Sequence, residues 1–354
     1  MKSNEPNKNR ASMGNCFSVT FGQLPSSYIH RERVLERISN DFSLDFPLSH
    51  LYIISGVRGS GKTVFLTDVS RTIAERRGWV VVDVNPNREM LEQIASGIYE
   101  NARVKPLFLT TSFSFSFHGI GFSIEGETPV SNVKTILEKM LGTLKRHNQR
   151  LLITIDEASN NSHMRAFAHD FQSFLRNDYP IYALMTGLYE NVNSLQNNKN
   201  LTFLYRAPKI ELGPLDRKQI EREYASIFAG EKEEVIASLA ELTKGYAFAY
   251  QVVGYLFSKH RSLSKIGDEF DQYLSLYVYD KIWSSLPMNE KAFLKCFRTD
   301  VASTESIVRM APFNEKAFSV YRDRLIRRGL IVARARGVAA LSLPRFEHFV
   351  AKQE

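Results

Sequence analysis

The sequence contains few cysteines and no long apolar run. Its 354 residues include two cysteines, Cys16 and Cys296, which lie far apart. They provide neither a disulfide framework nor the spacing of a metal site, which favours a reducing, cytoplasmic environment. No stretch approaches the apolar length of a membrane span, so we expect no membrane partner. The first fifteen residues are polar and lack an apolar signal region, and we expect a flexible N-terminal tail over residues 1–20.

The charge of the chain is unevenly distributed. Hydrophobic residues make up 44% and charged residues 24%, as in an ordinary soluble protein, and the length predicts two or three domains. The formal net charge is +8, and the segment from Met288 onward holds 13 Lys+Arg against 7 Asp+Glu, which accounts for six of these charges. A basic terminal segment raises the question of nucleic-acid binding, although a solvated basic surface has the same composition.

One eight-residue stretch has the pattern of a phosphate-binding loop. Gly56–Thr63 reads G-V-R-G-S-G-K-T, follows the apolar run Leu51–Ser55 and precedes Val64–Val69, where apolar residues recur at helical spacing. Strand, glycine loop and helix in this order form the context that such a loop requires. The alternative is a glycine turn without a ligand, which the complete motif and both flanks disfavour.

The residue types in this loop suit a bound triphosphate. We expect Gly56, Gly59 and Gly61 to allow positive φ and close approach of the backbone to an anion. Backbone N–H groups of the loop and of the following helix would point at the phosphates. Lys62 would supply positive charge to the β- and γ-phosphates, and the Thr63 hydroxyl would bind Mg²⁺. The expected nucleotide-contacting residues in this stretch are Gly56, Val57, Arg58, Gly59, Ser60, Gly61, Lys62, Thr63 and Val64.

Strand and helix patterns alternate over about the first 210 residues, which predicts an α/β fold with a parallel sheet and helices on both faces. The predicted strands are Leu51–Ser55, Trp79–Val84, Leu151–Ile155, Ile181–Met185 and Pro208–Leu212. The predicted helices are Arg31–Phe42, Met90–Glu100, Val130–His147 and Ala166–Arg176. Asn191–Asn200 is rich in asparagine and predicts a loop.

A phenylalanine-rich stretch interrupts this alternation. Phe113, Phe115 and Phe117 alternate with serines, Gly119–Gly121 follows as a turn, and the alternation then resumes, which is typical of a β-hairpin. We expect a hairpin insert over about residues 108–125. Its phenylalanine face either covers the edge of the domain or forms a partner-binding surface.

The periodicity becomes helical after Gly213. We expect a P-loop core over 21–213, a small helical domain over 214–285 and a third domain over 286–354. Three short helices and two strands near the C-terminus predict a winged helix-turn-helix. The predicted helices are Arg217–Phe228, Glu231–Thr243, Ala247–His260, Asp268–Trp283, Asn289–Phe297, Ser303–Met310 and Asn314–Arg328, and the two strands are Leu330–Ala333 and Val338–Leu343.

Four further residues are candidates for catalysis. Asp156 and Glu157 follow the third strand at its carboxyl end, where ligands bind in open α/β sheets. Asp156 would hold Mg²⁺, and Glu157 would orient and deprotonate the attacking water. Thr186 ends the fourth strand and either contacts the γ-phosphate or the water, or is an ordinary strand-end threonine. Arg206 either acts on the γ-phosphate of a neighbouring subunit or forms a structural salt bridge.

These motifs resemble those of the AAA+ ATPases, with the greatest similarity to the archaeal-type, origin-recognition-like branch and its STAND signalling relatives. The resemblance rests on the loop, on Ile153–Glu157, on Thr186–Gly187 and on the stretch from Arg206 to Leu215. It covers about residues 21–350. Residues 245–251, G-Y-A-F-A-Y-Q, resemble the start of the lid helix in that branch.

The resemblance implies a sheet in the order 5-1-4-3-2, a helical lid, and ATP with Mg²⁺ bound between core and lid. It also implies that Tyr28–Glu32, including Ile29, lines the adenine pocket. The sequence departs from the pattern because the lid motif has no arginine for the γ-phosphate and has Ala247 where STAND proteins usually have proline. Nucleotide sensing by the lid is therefore in question, and hydrolysis is expected to be slow.

Arginines are concentrated in the predicted recognition helix and wing. Phe318, Tyr321 and Leu325 are expected to form the core-facing stripe of the helix. The arginines expected on the remaining surface and the wing are Arg322, Arg324, Arg327, Arg328, Arg334 and Arg336. Such arginines would contact the phosphates and bases of double-stranded DNA through residues 314–345.

The sequence thus supports two functional hypotheses. The first is an ATPase that couples nucleotide state to a DNA-binding winged helix. The alternative is a STAND-like signalling switch that holds ATP and uses the winged helix to bind a protein partner. A homo-oligomer is compatible with both hypotheses. A small-molecule kinase would leave Glu157 and the terminal domain without a role.

Overall fold

The computed structural model describes residues 16–20, 25–109, 132–198, 201–311, 313 and 315–353. The phenylalanine-rich stretch and most of the predicted insert at 108–125 lie outside these residues, so the hairpin stays a prediction. None of the helices in the described part of the chain is both long enough and apolar enough to cross a lipid bilayer.

The chain forms two compact units, which we name for their main content. The sheet unit comprises His30–Val57 and Lys62–Leu212. The helical unit comprises the described residues before His30, the loop tip Arg58–Gly61, and the chain from Gly213 onward. The division thus falls inside the predicted phosphate loop and after the last strand of the large sheet.

The sheet unit is built on five parallel strands. Their order is β2-β3-β4-β1-β5, which is the predicted 5-1-4-3-2 arrangement. β1 to β4 are apolar and mostly buried on both faces, as expected for a parallel sheet covered by helices, whereas both charged residues of the edge strand β5 are exposed. They are β1 (Leu51–Ser55), β2 (Trp79–Val84), β3 (Arg150–Ile155), β4 (Ile181–Gly187) and β5 (Lys209–Glu211).

Helices cover both faces of this sheet. Alternate residues of β1 face opposite sides, so that Ile53 joins one apolar cluster and Ile54 joins the other. The Ile54 cluster contains side chains of α1 and α2, and the Ile53 cluster contains side chains of α3, α5 and α6. The helices are α1 (Glu32–Ser43), α2 (Lys62–Ala74), α3 (Met90–Glu100), α4 (Lys105–Leu109), α5 (Val133–Arg146), α6 (Ser162–Arg176), α7 (Tyr189–Gln196) and α8 (Thr202–Tyr205).

The predicted loop at Asn191–Asn200 is wrong over most of its length, because α7 occupies Tyr189–Gln196. Asparagine has a low helix propensity, but propensity is a weak determinant beside tertiary packing. Val192 and Leu195 are fully or almost fully buried in the sheet unit's core. Burial of these two side chains on one face of α7 stabilises the helix despite its asparagines.

After Gly213, the helical unit continues with helices joined by short connections. The predicted helix at Asp268–Trp283 is observed as α12, a π-helical turn at Ser275–Tyr279, and α13. The helices are α9 (Arg217–Ile227), α10 (Glu233–Thr243), α11 (Ala247–His260), α12 (Gly267–Leu274) and α13 (Asp280–Ser285).

The N-terminal segment at residues 16–20 is attached to these helices, which differs from the flexible tail predicted over residues 1–20, and residues 1–15 of that prediction lie outside the described residues. Phe17 is only 5% exposed, and its ring stacks on Phe228 with the ring centres 5.8 Å apart. The Ser18 N–H donates to Gln251 Oε1 at 3.0 Å. An isolated phenylalanine in a polar tail gives no sequence signal for this anchor, because its partners are more than 200 positions away.

The C-terminal module, residues 288–351, contains the predicted helices and strand pair with one further strand and one further helix. Its antiparallel sheet has the order β6-β8-β7, and Gly337 adopts φ +74° in the turn between β7 and β8. The elements are α14 (Met288–Lys295), β6 (Val301–Ser303), α15 (Thr304–Met310), α16 (Glu315–Arg327), β7 (Ile331–Ala335), β8 (Val338–Leu341) and α17 (Phe346–Ala351).

One of the arginines predicted for the surface of this module is largely buried instead. Arg328 Nε lies 3.0 Å from Glu290 Oε2, and the two side chains are 15% and 1% exposed. A buried carboxylate requires a cation or hydrogen-bond donors to offset its desolvation. Arg328 therefore stabilises the module from within, whereas Arg327 one position earlier is exposed.

We expect Arg328→Ala to lower the free energy of unfolding by about 3 kcal/mol, because it removes a cation from a buried carboxylate. Arg334→Ala is the control and is expected to change it by less than about 0.5 kcal/mol, as is usual for an exposed side chain. Denaturant-induced unfolding of both variants measures the difference. Equal stability of the two variants would contradict the structural role of Arg328.

Candidate functional site

The loop between β1 and α2 has the backbone geometry of an anion site at two of its three glycines. Gly59 and Gly61 have φ of +78° and +87°, a region that side-chain-bearing residues rarely adopt. Gly56 is outside this region, so the expectation of positive φ at all three glycines is wrong at that position. The helix α2 begins at Lys62, directly after the loop. Its first N–H groups have no partner within the helix and favour an anion.

The Lys62 side chain turns back along the loop. Its Nζ donates to the carbonyl oxygens of Gly56 at 3.0 Å and Val57 at 2.9 Å. The ammonium group is thus held beside the loop backbone by two donated bonds. Among the other predicted contact residues, Ser60 is buried, Thr63 is exposed, and Val57, Arg58 and Val64 are partly exposed.

The sheet order brings Thr63 and Asp156 together although they are 93 positions apart. The Thr63 hydroxyl, in the first turn of α2, donates to Asp156 Oδ2 at 2.7 Å. Asp156 directly follows β3, and its other oxygen, Oδ1, accepts from the Thr186 hydroxyl. β4 lies between β1 and β3 in the sheet. Thr186, near the carboxyl end of β4, is therefore adjacent to the carboxyl ends of both of these strands.

Thr186 is fully buried and its hydroxyl has two partners. It donates to Asp156, and it accepts from the Glu157 backbone N–H at 3.2 Å. A direct contact of Thr186 with a phosphate stays a prediction. The geometry shows instead that Thr186 fixes the orientation of the Asp156 carboxylate and of the next peptide.

Glu157 has an unusual backbone conformation. Its φ is +54°, in the left-handed region that is uncommon for residues other than glycine. The neighbouring bonds maintain this kink, since the Glu157 N–H also approaches Asp156 Oδ1 at 3.1 Å and the Ala158 N–H donates to the Thr186 carbonyl at 2.7 Å. Such conformations persist where surrounding contacts enforce them, and they are concentrated at functional sites. The Glu157 side chain is exposed at this edge of the sheet.

The remaining predicted site residues are placed as follows. Arg206 is exposed at the end of α8, and no ion pair joins its guanidinium group to another described residue. The structural salt bridge is therefore not observed within the described chain, and a role in a neighbouring subunit stays a prediction. Ile29 is buried, at 9% exposure, and its place in an adenine pocket also stays a prediction.

The N-terminal end of α11 contacts the loop tip within the helical unit, through Tyr246 just before the helix and Phe248 in its first turn, which sequence reasoning did not predict. The Tyr246 hydroxyl donates to the Arg58 carbonyl, and the Phe248 N–H donates to the Gly59 carbonyl at 3.1 Å. Burial raises the pKa of Tyr246, which therefore remains protonated as a donor at neutral pH. The resemblance identified this stretch as the start of a lid helix, but no sequence signal specified these bonds.

The donor set at Thr63 and Asp156 fits magnesium. Mg²⁺ prefers oxygen ligands and is usually held by one or two protein groups together with substrate phosphates and waters. A hydroxyl and a carboxylate in contact at 2.7 Å supply such oxygens. No group of three or more His, Cys, Asp or Glu side chains with metal-binding geometry occurs among the residues that the structure describes.

Comparison with solved structures identifies proteins of the same architecture. The Walker-type ATPase paby2304 of Pyrococcus abyssi matches with a TM-score of 0.63 and 13% identity, covering 92% of this chain and 96% of that one. The ORC2 protein of Aeropyrum pernix, solved as ADPNP–ADP complexes, matches with a TM-score of 0.54 and 15% identity, covering 94% and 96%. Both likenesses extend over almost the whole of each chain.

Sequence comparisons are less informative. Residues 277–350 match a family described as a Domain of unknown function (DUF8462). A search of curated proteins found no match. At these low identities the structural matches establish the architecture of the chain. The resemblance to origin-recognition-like AAA+ ATPases is thus confirmed at the level of the fold, and the chain is built on the same P-loop fold as these two proteins.

Proposed function

We propose that this protein binds ATP with Mg²⁺ at the Gly56–Thr63 loop, hydrolyses it slowly, and couples its nucleotide state to DNA binding by the C-terminal module. The observation that carries the proposal is the 2.7 Å hydrogen bond from Thr63 to Asp156. It joins the end of the phosphate loop to the acidic residue after β3. These are the two positions from which P-loop ATPases hold magnesium.

The residues of the loop would bind the triphosphate. The backbone N–H groups around Gly59 and Gly61 and those opening α2 would donate to phosphate oxygens. Lys62 would exchange its two loop carbonyls for phosphate oxygens. Thr63 and Asp156 would hold Mg²⁺, which when bound neutralises phosphate charge and orients the β- and γ-phosphates.

Glu157 would act as the general base for hydrolysis. Its carboxylate would accept a proton from a water whose oxygen attacks the γ-phosphorus, while the bond from that phosphorus to ADP breaks. Thr186 would act through its neighbours, because its hydroxyl holds both the Asp156 carboxylate and the Glu157 peptide. We also propose that Ile29 borders the adenine, and that Arg206, exposed and without an ion pair to the described chain, reaches the γ-phosphate of a second subunit in a homo-oligomer.

The C-terminal module would bind double-stranded DNA through α16 and the β7–β8 wing. Arg324 and Arg327 on α16 and Arg334 and Arg336 on the wing are exposed. Exposed arginines on a helix and an adjacent hairpin suit the phosphate and base contacts of winged helix-turn-helix proteins. Arg328 does not belong to this set, because its side chain is only 15% exposed against Glu290. Arg324 lies 4.0 Å from the other oxygen of Glu290 but is 57% exposed.

A signalling switch remains the second candidate, and one observation favours it. Residues 245–251, at the start of α11, contain no arginine that could contact a γ-phosphate. A site without this cation is expected to hydrolyse ATP more slowly than other P-loop ATPases do. It would therefore hold ATP for longer. In this case the C-terminal module would bind a protein, and duplex DNA would have no effect on it.

We expect Lys62→Ala to weaken Mg-ATP binding by about tenfold to a hundredfold, because it removes a charged donor from the phosphates. Glu157→Gln is expected to retain binding and to slow turnover by about a hundredfold or more. Calorimetry and phosphate release measure the two effects separately. Undiminished turnover in Glu157→Gln would refute the role of Glu157 as base.

Thr186→Val should slow turnover by about tenfold, because it removes a bond to the charged Asp156. Thr154→Val is the matched control, since Thr154 is equally buried on β3 and its hydroxyl donates at 3.0 Å to Asp83 instead. Both variants are expected to lose comparable stability in a thermal melt, and Thr186→Ser is expected to regain turnover. Equal turnover in the two valine variants would show that Thr186 has no part in the reaction.

Salt-dependent binding to a fluorescent DNA duplex tests the module. We expect Arg327→Ala, Arg334→Ala and Arg336→Ala together to reduce the slope of log K against log salt by about 0.9 for each phosphate contact removed. Arg217→Ala is the control, because Arg217 is exposed on α9 outside the module. Absence of binding by the wild-type protein at low salt would favour the switch.

A further inference from the structure

Four successive carbonyl groups of the phosphate loop accept hydrogen bonds from side chains or backbone of this chain. Lys62 donates to the carbonyls of residues 56 and 57. Tyr246 donates to the carbonyl of residue 58, and the Phe248 N–H donates to that of residue 59. Each carbonyl group from residue 56 to residue 59 therefore has a hydrogen-bond donor, which restricts the orientation of its peptide.

Holding the carbonyls also determines where the loop N–H groups point. In a trans peptide the C=O and the following N–H point in opposite directions, and the described chain has no cis peptides. Donors on the carbonyl side therefore direct the N–H groups of the next residues to the other side. The positive φ values at Gly59 and Gly61 then allow successive N–H groups to converge, as in the anion-binding concavities of other proteins.

Tyr246 lies directly against the loop backbone. A Cβ atom placed on Gly59 would be 2.1 Å from Tyr246 Oη and 3.3 Å from Phe248 Cβ. Gly59 stands at a variable position of the G-x-x-x-x-G-K-T pattern, so the motif itself does not require a glycine there. In this chain the glycine suits both its φ of +78° and the close approach of the tyrosine.

The Tyr246 hydroxyl is a dependable donor in this position. Its side chain is 5% exposed, and burial raises its pKa, so the group carries its proton throughout the physiological range. A neutral hydroxyl buried beside a carbonyl is costly to replace, because its loss leaves the acceptor without a partner.

We propose that Tyr246 is a positioning residue of the phosphate loop. By holding the Arg58 carbonyl, it keeps the loop N–H groups in the arrangement that a nucleoside triphosphate requires before the nucleotide arrives. The inference rests on the proposed function, since it assigns a role at the same site. Without the hydroxyl the loop visits other conformations, and the apparent Kd rises in inverse proportion to the binding-competent fraction that remains.

Tyr246→Phe removes the donor and retains the ring. We expect Mg-ATP to bind about five- to tenfold more weakly to the full-length variant, as measured by calorimetry or with a fluorescent ATP analogue. Tyr224→Phe is the matched control, because the buried Tyr224 hydroxyl donates at 2.7 Å to another backbone carbonyl, that of Tyr250. Both variants lose a buried hydrogen bond and are expected to melt at similarly reduced temperatures, but only Tyr246→Phe is expected to lose nucleotide affinity.

The outcomes separate the positioning role from the proposed function. If the wild-type protein binds Mg-ATP and Tyr246→Phe binds it with an unchanged or lower Kd, the positioning role alone is overturned. Equal weakening in Tyr246→Phe and Tyr224→Phe would overturn it too, because the effect would then follow general stability. Failure of the wild-type protein to bind Mg-ATP would overturn the proposed function and the positioning role together.

Discussion

The Asp156 carboxylate, held by one hydroxyl on each of its oxygens, is the interaction on which the candidate site depends. Thr63 donates to one oxygen and Thr186 to the other. The two threonines approach Asp156 only because β4 separates β1 from β3 in the sheet. The buried apolar strands that enforce this order thus place the end of the phosphate loop, the acidic residue and the strand-end threonine at one edge.

Much of this arrangement could be predicted from the sequence because its signals are local. The loop motif, the apolar strands and the acidic pair are contiguous stretches, and each specifies its own conformation or chemistry. The strand order is not local, and it was predicted through the resemblance of several motifs taken together. The helices of the helical unit were predictable from a local signal as well, because their apolar residues recur at helical spacing.

The features that could not be predicted depend on partners distant in the chain. The helix α7 forms despite its asparagines because Val192 and Leu195 reach a core built from other elements. Phe17 and Arg328 were assigned to a tail and to a surface because nothing near them in sequence reveals Phe228 or Glu290. The donation from Tyr246 to the loop spans 188 positions and has no sequence pattern. Prediction therefore failed where a side chain's environment, and not its own periodicity, decides its role.

A crystal structure of the protein with Mn²⁺ and a non-hydrolysable ATP analogue tests the central claim most directly, since the anomalous signal of manganese locates the metal without reference to the protein. The account predicts one metal peak at the edge of the sheet, about 2.1 Å from Thr63 Oγ1 and beside the Asp156 carboxylate, with the triphosphate along the Gly56–Thr63 loop. A metal and nucleotide bound elsewhere on the chain, or a loop that remains without nucleotide at saturating concentration, would contradict it.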